Sequence, residues 1–241
     1  MVLCGSGIRR AASGAGSLET AAAAITEYLH SSLWDDASDR PASVLVRLYR
    51  TISYRLLEPD LQRFATAALE RREPWPEMKC LTLMATAGER AEWNSRHTSA
   101  GHRAIPLPSA EAIARLPMVS LLVSQLGVDA KELAGAERVP LVQNEGRPST
   151  NVFHIPAALG SPFVPAQEEF VKPLAVRSVV GFGGQLGAGD LYAVIVFSRV
   201  PINRATADII GYLGSDVRMA IVPTHARPLF KGGASELAAR S

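Results

Sequence analysis

Cys80, His97 and His102 are the residue types in this chain that most readily suggest metal chemistry. Zinc sites need close ligand pairs such as Cys-x-x-Cys, and that spacing is absent, so stray histidines in a solvated loop explain His97 and His102. Nucleophilic catalysis needs a serine or cysteine beside a base. No Gly-x-Ser-x-Gly run occurs, and Cys80 lies within the apolar stretch MKCLTLMATA (78–87), where a thiol serves as packing. His154 and Cys80 lack any haem-attachment spacing. The glycine cluster GFGGQLGAG (181–189) could cradle a phosphate only if a helix N-terminus followed it. The apolar run Leu191–Phe197 follows instead, without Gly-Lys-Ser/Thr, so these glycines are read as a turn between strands. No enzyme is expected.

Binding chemistry is better represented. Arg177 precedes a strongly apolar strand, and its guanidinium needs a carboxylate or a ligand if it is buried. Glu168 and Glu169 are near enough in sequence to supply an Arg–Glu pair that fixes the loop, and contact with a ligand is the other reading. His154 is either a core residue or part of a pocket wall. Phe153, Phe163, Phe170, Phe182 and Tyr192 could line a concave apolar site, although residues of this kind also fill cores. The candidate ligand-binding set is therefore Phe153, His154, Phe163, Arg177, Phe182 and Tyr192.

These residues are carried by elements legible in the hydrophobic pattern. Val176–Phe182 and Leu191–Phe197 are β-branched and aromatic runs bounded by turn residues, a strand hairpin. Ile209, Ile210, Leu213, Val217, Ala220 and Ile221 then repeat at the spacing of one buried helical face, giving a helix over 206–222. Ser17 can cap a helix over 18–33, with Glu19 in its first turn. Ser43–Leu57 is apolar on both faces, as a strand covered on each side requires. A helix over 61–70, a strand over 78–87, a long polar loop over 88–108 and a helix over 111–126 broken near Pro117 follow. A short strand over 151–155 and a loop over 157–165 lead back to the hairpin. The fold class is α+β, a central antiparallel sheet with helices gathered on one side.

At 241 residues the chain can bury a sizeable core. Its 25 basic and 23 acidic residues are well mixed, so nucleic acid is not an expected partner. No apolar run reaches the ~18–20 residues of a spanning helix, and the opening lacks the apolar core of a secretory signal, so no membrane partner is expected. Two cysteines make no disulfide framework, and a reducing cytoplasm is the simplest compartment. The small, glycine-rich residues 1–16 read as a flexible leader, and 224–241 as a flexible tail or linker.

The run from Asn151 to Ser198 resembles the C-terminal half of the GAF family, small-ligand sensory domains of bacterial signalling proteins. Ile155–Pro156–Ala157 stands where that family often has Ile/Val-Pro-Asp. Val176–Arg177–Ser178–Val179–Val180 is similar to its Arg-Ser strand entry, and Gly189–Asp190–Leu191–Tyr192–Ala193–Val194 to its turn and return strand. Ala157 departs from the usual aspartate, and His154 precedes the apolar-Pro pair. The resemblance covers 151–222 within a single domain over 17–223, with an insertion around 88–143. Some relatives reduce methionine sulfoxide with several cysteines or attach a bilin through a pocket cysteine, and this chain lacks both sets.

The resemblance implies a GAF-like sheet flanked by helices, with the N- and C-terminal helices packed together. It implies a cytoplasmic sensory input module that binds a small molecule between the sheet and the loops 88–108 and 157–165. The signal would leave through the helices 18–33 and 206–222. It also implies a homodimer, with a kinase, phosphatase or transcription regulator as output partner. The alternative is a ligand-free dimerisation or docking module of such a protein. A small enzyme on the same scaffold is a third reading. The residues name no ligand or cofactor.

Overall fold

The structure is a computed structural model and describes residues 2–69, 72–99, 101–135, 152–186 and 189–232. Two helices open the chain, Val2–Ala11 (α1) and Leu18–Ser32 (α2). A two-residue ribbon, Trp34–Asp35 (β1) with Arg40–Pro41 (β2), leads into the long strand Ser43–Ser53 (β3). Then come Pro59–Ala68 (α3), Lys79–Gly88 (β4) and Ala104–Pro106 (β5). Three short helices follow, Ala110–Ala114 (α4), Pro117–Gln125 (α5) and Ala130–Leu133 (α6). Val152–Ile155 (β6) and the hairpin Ser178–Gln185 (β7) with Leu191–Ser198 (β8) precede Arg204–Gly211 (α7) and Leu213–Ile221 (α8).

Six strands form one sheet in the order β5-β4-β3-β8-β7-β6, every neighbouring pair antiparallel. The hairpin is in the register Phe182 opposite Val194 and Gln185 opposite Leu191. At its turn, Gly189 takes a φ of 74°, a conformation that side-chain-bearing residues rarely adopt. The buried Asp190 carboxylate accepts from Lys79 Nζ at 2.6 Å and from Arg50 Nη2 at 3.4 Å, which ties the turn to β3 and β4. Beside it the Leu191 amide donates to Thr51 Oγ1 at 2.8 Å.

Strand alternation divides the core in two. Val46, Leu48, Cys80, Val180, Phe182, Tyr192 and Val194 face a core built with α1, α2, α7 and α8. Leu45, Tyr49, Leu81, Leu83, Phe153, Val179 and Ile195 face a second core closed by α4, α5, α6 and the loops. Helices therefore cover both sides of the sheet, not one. The sequence between 110 and 133 is only weakly periodic because Pro117 and Gly127 cut it into short helices, whose apolar residues cap the second face. Part of the expected insertion, 136–143, lies outside the described residues.

The segment expected to be a flexible leader is α1. Ile8, Ala12 and Ala15 are buried, and Arg9 pairs with Asp216 of α8. The small residues that looked like flexibility permit close approach. A Cβ on Gly5 would overlap the Asp216 carboxylate, and one on Gly7 the Tyr28 ring of α2. The expected flexible tail is corrected in the same way over 224–232. Leu229 and Phe230 are buried, and the carbonyls of Pro228 and Leu229 accept from the Leu18 and Glu19 amides at 3.0 and 2.9 Å. Those amides lie in the first turn of α2, where no intrahelical acceptor exists. Residues 233–241 lie outside the described ones. Ser17 caps α2 as expected, its hydroxyl accepting from the Thr20 amide. The closing helix is broken at Tyr212 into α7 and α8, and α1, α2 and α8 pack together.

Candidate functional site

A cavity of about 730 Å³ occupies the space between the second face of the sheet and the covering loops. Leu45, Arg47 and Tyr49 of β3 and Ile195 and Phe197 of β8 form its floor. They are the alternate residues of their strands, so one face presents five neighbouring side chains. Trp93 and His102 close it from the loop after β4, Ile105 from β5, Met118 and Leu122 from α5, and Phe163 and Phe170 from the loop before β7. Its volume falls in the ~300–1,000 Å³ range of small-molecule sites, and its wall is mainly apolar with a few polar groups, as such sites are.

An aromatic ladder holds the covering loops to the floor. Phe170 stands edge-on to Trp93, ring centres 5.6 Å apart, and perpendicular to Phe197 at 5.1 Å. Edge-to-face pairs contribute roughly 0.5–1.5 kcal/mol each beyond area burial. Arg90 lies over the Trp93 ring, 5.0 Å from its centre. The loop carrying Trp93 is anchored further along by Arg96, whose buried guanidinium meets Glu19 of α2 and Glu58 beside α3.

The polar corner of the cavity is built on Arg47. Its Nη1 donates to the Tyr49 hydroxyl at 3.3 Å and its Nη2 to the Ser99 hydroxyl at 3.2 Å. Its Nε is buried and has no acceptor among the described residues. His102, at a φ of 59°, reaches the surface at the cavity rim. Desolvation by the surrounding loop, and secondarily the charge of Arg47, lower its pKa from the ordinary 6.5.

Of the six candidates from sequence, Phe163 alone lines this cavity. Phe153 is fully buried in the core beneath it. Phe182 and Tyr192 face the opposite core, and the Tyr192 hydroxyl donates to the Gly214 carbonyl at 2.9 Å, its pKa pushed up to about 12 by burial. Buried His154 pairs through Nε2 with the Ile202 carbonyl at 2.8 Å, the satisfied core histidine of the two readings. Arg177 is exposed in a separate surface groove with Pro156 and Leu159. It has no carboxylate partner among the described residues, while Glu168 pairs instead with Lys172. The even-numbered hairpin residues Phe182 and Tyr192 point away from the odd-numbered Leu191, Ile195 and Phe197 on the cavity side, so parity within β8 was the available signal.

Cys80 lies in the helix-side core, its thiol pushed up to about 12 by burial. His102 is on the cavity side, and His97 is an exposed neighbour of Glu19. Among the described residues no group of three or more His, Cys, Asp or Glu is placed to hold a metal ion. None of the described helices is long and apolar enough to cross a membrane.

Fold and cavity together define a mixed α+β protein with a six-stranded antiparallel sheet and an apolar chamber over one face. No protein-family model matches the chain. No curated protein matches it either.

Proposed function

We propose that this chain is a cytoplasmic, GAF-like sensory or regulatory domain that binds a small molecule in the chamber over β3 and β8. The observation that carries the reading is the cavity itself, which is of ligand size and lies between the sheet and covering segments that include the β4–β5 loop and the loop 157–165. The resemblance of residues 151–222 to that family supports the same reading. So does the packing of the first and last helices against each other on the reverse of the sheet. The signal passes from the cavity floor through β3 and β8 to α2 and α8, and on to a kinase, phosphatase or transcription regulator. The domain binds its ligand without converting it.

Native mass spectrometry of the purified protein tests this, followed by denaturation and identification of what is released. A stoichiometric small molecule supports the reading. An empty protein whose melting temperature no nucleotide, haem or common metabolite shifts would falsify it.

A second reading, a dimerisation or docking module, is favoured by apolar residues left exposed on the terminal helices. Ile209, Tyr212, Met219 and Val222 lie along the outer side of α7 and α8, and Leu3 is exposed on α1. The homodimer that the resemblance implies would cover them. Sedimentation of the wild type and of Tyr212→Lys tests this: a dimer in the first and a monomer in the second supports it, and a monomeric wild type removes it.

A further inference from the structure

Arg47, half-buried, differs from four other arginines packed against this fold. Arg50 reaches Asp190, Arg96 reaches Glu19 and Glu58, Arg103 reaches Asp60, and Arg199 reaches Glu89. Arg47 reaches no carboxylate among the described residues, and its terminal nitrogens donate only to two neutral hydroxyls. It nonetheless lies mid-strand in β3 between Leu45 and Tyr49, on the floor of a mainly apolar chamber. Removing a cation from water without a counter-charge is costly, and proteins normally pair such groups. This charge, without a carboxylate partner among the described residues, faces the chamber.

Three further features define that ligand. The Tyr49 hydroxyl accepts from Arg47, and its own hydrogen has no protein acceptor among the described residues, so a second donor points to the same corner. The covering walls are apolar and largely aromatic, with Trp93, Phe163 and Phe170, and Phe197 adds a ring to the floor. Arg90 adds a second cation to the lining, and exposed Glu169 is its one carboxylate among the described residues. We infer that the chamber takes an apolar monoanion, a carboxylate on an aromatic or alicyclic body, whose oxygens accept from Arg47 and Tyr49. Arginine suits this role because its planar donors match a carboxylate's two oxygens. The inference rests on the chamber being a binding site, as proposed above.

Matched acid and amide pairs separate the charge from the shape: 1-naphthylacetate with 1-naphthylacetamide, 4-phenylbutyrate with 4-phenylbutanamide, and 1-adamantylacetate with 1-adamantylacetamide. Each is titrated calorimetrically into the full chain at neutral pH. The acid of at least one pair is expected to bind about ten- to a hundred-fold more tightly than its amide, the range for hydrogen bonds to a charged group. Arg47→Met should erase the difference, Arg47→Lys should keep part of it, and Tyr49→Phe should weaken the acid by roughly three- to ten-fold. Melting curves confirm that each variant is folded, and Arg47→Lys and Tyr49→Phe carry the test if Arg47→Met is not. Equal affinity for acid and amide, with binding retained, overturns the charge assignment and leaves the chamber as a site for neutral ligands. If no member of any pair binds at millimolar concentration, the binding-site reading falls and this inference with it.

Discussion

If the aromatic ladder is what keeps the chamber closed, Trp93 and Phe170 must be energetically coupled, and the coupling must be felt in the loops more than in the sheet. Each is half-buried, so neither is a main support of the global core. Phe170 makes two edge-to-face contacts, with Trp93 at 5.6 Å and with Phe197 at 5.1 Å. At roughly 0.5–1.5 kcal/mol per pair, Phe170→Leu, which keeps most of the apolar area, should cost about 1–3 kcal/mol. A double-mutant cycle of Trp93→Leu and Phe170→Leu isolates the first contact and should return a coupling of roughly 0.5–1.5 kcal/mol in urea unfolding.

Hydrogen exchange supplies the independent reading. The Trp93 amide donates to the Arg90 carbonyl and the Phe170 amide to the Ala166 carbonyl, so both report on the loops directly. If these loops open locally, losing about 1.4 kcal/mol speeds their exchange roughly ten-fold while β3 and β8 stay protected. A coupling indistinguishable from zero, or exchange that rises equally in the sheet and the loops, would refute the argument that the ladder is a local clasp.

Three other perturbations test the frame around the site. Asp190→Asn keeps the shape of the hairpin turn but removes the charge that Lys79 and Arg50 meet, and should cost roughly 3 kcal/mol or more in urea unfolding; a loss below about 1 kcal/mol would show that the cluster is not a stabilising unit. Gly183→Ala places a Cβ on the Tyr192 carbonyl and against the Ala193 backbone, neither of which can move aside, so about 3 kcal/mol and a fall of roughly 10 °C in Tm are expected. An unchanged Tm would contradict the close β7–β8 approach. The pKa of His30 is lowered from 6.5, chiefly by desolvation and also by Arg199, with Glu89 opposing. The unfolded chain therefore takes up the proton first, and stability should decline as pH falls from about 7 toward 5, levelling off below the folded-state value. His102 acts in the same direction, and His30→Gln should flatten part of the slope in pH-dependent unfolding.

The hairpin, the two-sided strand β3 and the capped helix α2 were all legible in sequence, because each is specified by near neighbours. Ser17 sits at the start of α2, whereas Gly181, Gly183 and Gly184, expected in the turn, lie within β7 opposite Ile195, Ala193 and Tyr192 of β8, and Gly189 stands at the turn. The site was less legible. Phe163 could be picked out as an aromatic in a proline-bearing loop, whereas Arg47 looks in sequence like an ordinary polar interruption of a strand. Its meaning comes from where Ser99, His102 and Tyr49 stand relative to it, and from the lack of a carboxylate partner among the described residues, neither of which is a property of local sequence. The opening helix was missed for a related reason. Glycine lowers helix propensity, and only the partner surfaces of Asp216 and Tyr28 show why Gly5 and Gly7 are needed there.

The position of Arg47 also decides how binding could reach the far side of the sheet. It lies in β3 between Val46 and Leu48, which project into the helix-side core with Ala21, Ala22 and Ile25 of α2. The same strand pairs with β8, whose Tyr192 donates to the Gly214 carbonyl of α8. Gly214 packs without a side chain against the Gly183 backbone of β7, so α8 has little apolar cushion between itself and the sheet. An anion that draws Arg47 toward the chamber would therefore load β3 and β8, and close-packed contacts deform poorly. The strain would pass to α2 and α8, which carry the exposed apolar stripe or pack against it. A ligand gains leverage over those helices only through a difference in affinity between their two arrangements. The coupling then predicts that Gly214→Ala, which wedges α8 from β7 with a Cβ about 3.3 Å from the Gly183 carbonyl, changes ligand affinity from the opposite side of the sheet. Calorimetry with the tightest acid of the matched pairs would read this as a several-fold shift in Kd, and an unaltered Kd in a folded variant would mean that chamber and helices are independent.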